Sequence, residues 1–240
     1  MPGRKAQSLA AVRAALGKHA DPRKAAVARG YFKTGPGGYG EGDVFLGICA
    51  PDMRRLAAAH RDITFSEIRD LLASPVHEER VLALLVLVGK YSRANEREKK
   101  RIFDFYLRHR KRVNNWDLVD LSAPHIVGDF LADRDRAVLY DLAGSKNLWD
   151  RRIAVLATLN FIRRGDFSTT LEISKVLLSD KKDLIHKAVG WMLREVGKRD
   201  MRTEEIFLRA HGRVMPRTML RYAIERFPEA KRRRYLRGTV

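Results

Sequence analysis

Cysteine is nearly absent: Cys49 stands alone in 240 residues, which excludes an internal disulfide and any metal site built from several thiolates. No run of about 18 apolar residues free of charge occurs, so no membrane-spanning helix is expected. Residues 1–5 lack the apolar core of a secretion signal, and a reducing cytoplasm suits both observations. Acidic residues are scarce, 29 Asp and Glu against 48 Lys and Arg, a difference of +19. An excess of that size repels itself and draws polyanions. Apolar residues make up 45% of the chain, enough for a packed core and too many for a disordered tail.

Strand signals are also lacking, because apolar residues recur at spacings of three and four rather than alternating. Asp21-Pro22 has the N-cap and first-position proline of a helix running to about Lys33. A second helix is expected from Ala50 through His60. Further starts are predicted near Ser66, Pro75, Asn95, Asn115, Asp133, Asn147, Ser168, Lys182, Met201, Pro216 and Pro228. The most apolar runs, 81–88, 153–162 and 188–196, are spaced like the inner members of successive helical hairpins.

One local pattern recurs within this series. Trp116-Asp117-Leu118-Val119-Asp120, Leu148-Trp149-Asp150-Arg151-Arg152 and Leu184-Ile185-His186-Lys187 each open an apolar helical run. Setting Asp120, Arg152 and Lys187 in register gives offsets of 32 and 35 residues, the period of stacked helical hairpins. His77-Glu78-Glu79-Arg80 places Arg80 at the same position in an earlier copy. A lone carboxylate, Asp120, is thus expected in a row of cations. Two readings are open for it: an ion pair with Arg152, or a group facing a substrate that is, or becomes, positive.

The segment from Lys33 to Asp43 holds five glycines and a proline in eleven residues. It has neither the Gly-Lys-Ser/Thr ending of a phosphate-binding loop nor a strand before it. It reads as a surface loop between helices, or as a probe that reaches DNA through Tyr39. Basic charge is concentrated at 90–112, with ten Lys or Arg against three acids, and at 201–240, with eleven against four. Such runs are solvated helix faces or phosphate-binding surfaces. Of the three tryptophans, Trp149 is expected in the core. Trp116, one turn before Asp120, and Trp191, one turn after Lys187, are expected to border a cleft.

Trp116-Asp117-Leu118-Val119-Asp120, then Asn147-Leu148-Trp149 with Arg152, then Lys187-Ala188-Val189-Gly190-Trp191-Met192-Leu193-Arg194-Glu195 resemble, in that order, motifs of the AlkD-type DNA alkylation repair family, the HEAT-like-repeat DNA glycosylases. The resemblance runs from about residue 21 to 227. It implies an all-α, HEAT-like-repeat α-solenoid of about a dozen helices, C-shaped with a concave basic groove. The expected organisation is a single domain over residues 1–240, with the glycine loop inserted at 33–43 and a basic end at 228–240. The implied activity is hydrolysis of the N-glycosidic bond of cationic N3- or N7-alkylpurines in duplex DNA, leaving an abasic site. No metal or cofactor is implied, and the base is not swung into a pocket.

Carried over by motif, Asp120 is the catalytic carboxylate, Trp116 and Trp191 flank the lesion, and Arg152 contacts the backbone. Lys187, Arg80 and Tyr39 complete the expected DNA contacts. The expected partner is double-stranded DNA, bound by a monomer in the cytoplasm at the nucleoid. Asn115 stands where the best-known members carry a second aromatic residue. The glycine loop occurs in only part of the family, some members of which bind DNA without excising bases, so the alternative is a non-catalytic protein that binds branched or damaged DNA.

Overall fold

The computed structural model describes residues 9–239, and their regular structure is helical except for one isolated parallel bridge between Val44 and Val76. This is the all-α architecture expected. None of the described helices is long and apolar enough to cross a membrane. The chain divides into two compact units, residues 1–122 and 123–240.

Helix ends fall where the punctuation puts them. Asp21 caps the Pro22–Tyr31 helix by accepting from the backbone N–H groups of Arg23 and Lys24. Thr64 and Asn95 close capping boxes with Glu67 and Glu98, which satisfy the orphan donors of the Phe65–Leu72 and Glu96–His109 helices. Asn147 and Asp200 cap Leu148–Ala157 and Met201–His211. Asp133 starts no helix; it binds Arg164 at 2.9 Å, and Asp135 accepts from Ala137 N to begin Ala137–Ala143. The first described helix, Leu9–Gly17, precedes the starts expected from the sequence.

In the first unit, the His77–Tyr91 helix is the centre, packed by Ala50–Ala59, Phe65–Leu72 and Glu96–His109. Leu82, Leu84 and Leu87 on it are fully buried, each worth about 1.5–3 kcal/mol of apolar transfer. In the second unit, Asp183–Gly197 holds the same place, against Leu148–Ala157, Met201–His211 and Arg217–Ala223. Gly190 lets the last of these approach, since a Cβ there would sit 2.4 Å from the Met219 carbonyl oxygen. Successive helices packed as sequence neighbours around one apolar member are the arrangement of a HEAT-like array. The Trp116–Ala123 helix runs into a π-helical turn, Pro124–Gly128, where proline lacks the donor that an α-helical turn needs.

One buried acid stands outside this pattern. Glu204 is 1% exposed, and burial, reinforced by Glu205, pushes its carboxyl up to about 8. A folded pKa above the unfolded one means that the folded state keeps a proton which the unfolded state loses. The stability tied to Glu204 is therefore present in acid and is lost as pH rises from the ordinary carboxylate range to about 8. Glu204→Gln is expected to raise the melting temperature at pH 8.5 while leaving it nearly unchanged at pH 5; equal shifts at both would place Glu204 in water.

Candidate functional site

The first unit carries a cleft of ≈ 760 Å³. Its walls come from the Pro22–Tyr31 and Ala50–Ala59 helices, the segment 45–49, the His77–Tyr91 helix and the Trp116–Ala123 helix. Val27 and Tyr31 stand 74% and 65% exposed along it, an apolar surface of the kind that marks a binding site. Arg23, Lys24 and Arg54 are exposed cations of the lining, and Asp120 is a half-buried carboxylate of it.

Trp116 is fixed from three sides. Its indole stacks on Phe32 at 5.2 Å and 14°, meets Tyr31 edge-on at 5.7 Å, and donates through Nε1 to the Tyr39 hydroxyl at 3.1 Å. Tyr39 in turn donates to the Tyr31 carbonyl oxygen at 3.2 Å. Phe32 stacks on Phe45, and Phe45 on the His77 ring at 4.6 Å. A continuous aromatic wall thus leads to Trp116. Asp120 follows on the same helix, one turn on, and lines the same cleft.

The glycine loop builds part of this wall. Its backbone closes on itself through Gly38 N to Gly35 O, Gly40 N to Lys33 O and Asp43 N to Gly40 O, and Glu41 accepts from Gly37 N. A Cβ at Gly38 would lie 1.8 Å from the Lys33 carbonyl oxygen, so glycine is required there by close approach. The hydroxyl of Tyr39 is engaged with Trp116 and Tyr31, which gives Tyr39 a part in holding the indole.

Below the wall lies a network of buried charge. His77 Nε2 lies 2.7 Å from Asp117 Oδ2, and its Nδ1 lies 3.4 Å from Asp43 Oδ2. Burial alone pushes the imidazole pKa down, yet Asp117 and Asp43 outweigh it and hold the group above its ordinary value. Burial would raise Asp43, but bonds from His77 and Arg80 keep it below the usual carboxylate range. Glu78 accepts from the N–H groups of Leu46, Gly47 and Ile48, and Glu79 pairs with Arg13 at 3.1 Å.

The sequence reading sets Arg80 on DNA. In the structure Arg80 is 5% exposed, 2.6 Å from Asp43 and bonded to Asn114 Oδ1, so its charge is compensated inside the protein. Asn115 is fully buried and its side-chain oxygen accepts from Trp116 N, starting the helix instead of lining the cleft. The contributions of Tyr31, Phe32, Phe45, His77 and Asp117 went unread. Four consecutive charged residues ahead of the most apolar run, 77–80, were the available signal.

In the second unit, Trp149 is 9% exposed, the core position expected for it. Arg152 is buried and donates to the Leu184 carbonyl oxygen at 2.6 Å. Lys187, on the neighbouring helix, is half-exposed and lies 2.8 Å from Asp183. Trp191 is half-buried and donates through Nε1 to Glu195 Oε1 at 3.1 Å. Among the described residues, no cluster of three or more His, Cys, Asp or Glu is placed to hold a metal ion.

A family model described as DNA alkylation repair enzyme matches residues 12–227. The chain belongs to that family. A solved structure described as a predicted DNA alkylation repair enzyme from Enterococcus faecalis is similar in fold, with a TM-score of 0.67 at 18% identity, over 88% of this chain and 98% of that one. No curated protein matches the chain. Within the DNA alkylation repair family's matched span lie both the aromatic cleft and the helix bearing Trp116 and Asp120.

The charged network makes its own stability prediction. His77, with a raised pKa, contributes stability that is fully present below about 6.5 and is lost as pH rises through its folded value; Asp43, with a lowered one, contributes above about 4 and loses it in acid. The melting-temperature gap between the wild type and His77→Gln is therefore expected to be widest near pH 5–6 and to close in alkali. Arg80→Ala, which strands the buried Asp43 carboxylate, is expected to cost about 3–5 kcal/mol in denaturant unfolding. A cost under about 1 kcal/mol would show that water takes the place of Arg80.

Proposed function

We propose that this DNA alkylation repair family member is a monofunctional DNA glycosylase that hydrolyses the N-glycosidic bond of cationic N3- and N7-alkylpurines in duplex DNA. The observation that carries the reading is that the half-buried Asp120 carboxylate lines the same apolar, aromatic cleft as a rigidly held indole, Trp116.

An alkylated purine already bears a formal positive charge. As its C1′–N bond breaks, the bonding electron pair passes to the base, which leaves neutral and requires no proton from the protein. Positive charge moves onto the sugar as an oxocarbenium-like centre. Asp120 stabilises that centre and orients the attacking water; water's oxygen bonds to C1′, and its proton passes to the carboxylate and then to solvent. One carboxylate is enough for this chemistry, whereas an uncharged purine would leave as an anion and call for a general acid as well. The Trp116 face adds cation–π attraction of about 0.5–2 kcal/mol. Exposed Arg23 and Arg54 supply positive potential for phosphates. Arg152 and Trp191 keep the roles that the motif implies, backbone contact and lesion contact, and Lys187 is a further DNA contact.

Purified protein is expected to release 7-methylguanine from methylated duplex DNA. Asp120→Asn is expected to slow single-turnover release by about 10²–10³-fold, with DNA affinity within about twofold of wild type. Trp116→Ala is expected to slow it by up to about 30-fold, the rate equivalent of the cation–π range. Wild-type rates in Asp120→Asn would remove the carboxylate from the reaction. Arg152→Ala is expected to lower the slope of log affinity against log salt by about one, and an unchanged slope would take Arg152 off the backbone.

A further inference from the structure

A second hollow, of ≈ 380 Å³, lies elsewhere on the first unit and shares no residue with the aromatic cleft. It is lined by Phe65, Arg97, Lys100, Arg101, Asp104, Phe105 and Arg108. All but Phe65 lie on the Glu96–His109 helix, at steps of three and four that bring them to one face. Four cations face one carboxylate, a balance of 4 − 1 = +3, and the carboxylate is taken by Lys100 at 2.7 Å.

The other acids of the helix do not relieve this excess. Glu98 closes the cap at Asn95, and Glu96 lies 3.8 Å from Lys99. Arg97 and Arg108 make no ion pair among the described residues. His109 beside them adds no charge, since burial, then Arg108 and Arg69, hold its pKa below the ordinary value. Arg97 and Arg101, one turn apart, repel each other at a modest cost to the helix. An anion bound in the hollow would reverse that repulsion into attraction.

Shape and rigidity point the same way. The Arg101 guanidinium lies 4.5 Å over the Phe65 ring, and Phe65 meets Phe105 edge-on at 5.2 Å. A guanidinium held over an aromatic ring loses little freedom when it grips an anion, and its paired donors match phosphate oxygens. Three arginines at one hollow suit a chain of phosphates better than a single ion.

We infer that this hollow is a second DNA-backbone site, in which Arg97, Arg101 and Arg108 grip phosphodiesters of a DNA segment other than the one entering the cleft. It rests on DNA being the partner and is independent of the glycosylase chemistry. The site tethers the protein to undamaged DNA and raises the local concentration of lesions at the cleft.

The experiment is the salt dependence of binding to an unmodified long duplex, comparing wild type, the triple Gln variant (R97Q, R101Q, R108Q) and the triple Lys variant at the same positions. The Gln variant is expected to bind about tenfold or more weakly at 0.1 M salt, with the log–log slope reduced by about three; the Lys variant is expected to keep the slope. Excision from saturating methylated duplex under single turnover is expected to be unchanged in both. Equal slopes in wild type and the Gln variant overturn the site while leaving the cleft reading intact. Equal affinity of the wild type for free nucleoside monophosphate and for the duplex, lost in the Gln variant, overturns it in favour of a free-anion site. Failure of the wild type to bind DNA overturns this site and the glycosylase reading together.

Discussion

Four consecutive residues, His77 to Arg80, enter the core of the first unit as charged or chargeable groups, and the site depends on how each is compensated. Taking an ion out of water costs several kcal/mol unless partners replace the lost hydration. Their partners are drawn from several elements, with Asp43 shared by His77 and Arg80. Glu79 takes Arg13 of the first described helix, and Glu78 takes three backbone donors of segment 46–48. His77 takes Asp117 and Asp43, and Arg80 takes Asp43 and Asn114. A shift of any of these elements strands a buried charge, so the motif specifies their mutual placement even where it adds little net stability. The helix that begins at Trp116 is among the pieces so placed, and it carries both Trp116 and Asp120.

The tail of the glycine loop completes the clamp. His77 N donates to the Val44 carbonyl oxygen, Val44 N donates to that of Pro75, and Asp21 N donates to that of Leu46, so the segment is tied to two helices by backbone alone. Gly47 has φ +82°, and a Cβ on it would lie 2.2 Å from the Asp21 carbonyl oxygen. Only glycine lets the chain pass so close in that conformation. This passage delivers Phe45 to Phe32 and His77, and with it the stack that supports the indole. The wall of the cleft is therefore a product of loop chemistry as much as of helix packing.

That division explains what the sequence disclosed. Helices with a capping residue or a proline at the start, such as those after Asp21, Asn95, Asn147 and Pro216, announce themselves locally, because the cap bonds are made within three residues. Asp133 mimics a cap, but its carboxylate is spent on Arg164, 31 residues away. The cleft residues on helices, Trp116 and Asp120, were legible from spacing and motif. Phe32, Phe45 and His77 were not, since their meeting depends on pairings 32 and 40 residues apart, Leu46 with Glu78 and His77 with Asp117. Register with Asp120, Arg152 and Lys187 sets Arg80 on DNA; the partner that draws it inside, Asp43, is the last residue of the glycine loop, 37 positions away.

The placement of charge in the first unit separates attraction from chemistry. Arg23 and Arg54 are exposed, so their pull on phosphates acts through water and is screened by salt. Asp120 is half-buried among apolar and aromatic side chains, where the effective dielectric is lower. A carboxylate meeting a unit positive charge at a given distance gains about four times more at an effective dielectric of 20 than in bulk water. In the proposed reaction that gain would grow as positive charge moves from the base onto the sugar, and such growth between ground and transition state is what lowers a barrier. A neutral base gives the cleft no such lever in the ground state and leaves as an anion that the carboxylate repels. On the glycosylase reading we propose, selectivity for cationic lesions would follow from where the Asp120 carboxylate sits, with no hydrogen-bond reading of the base required.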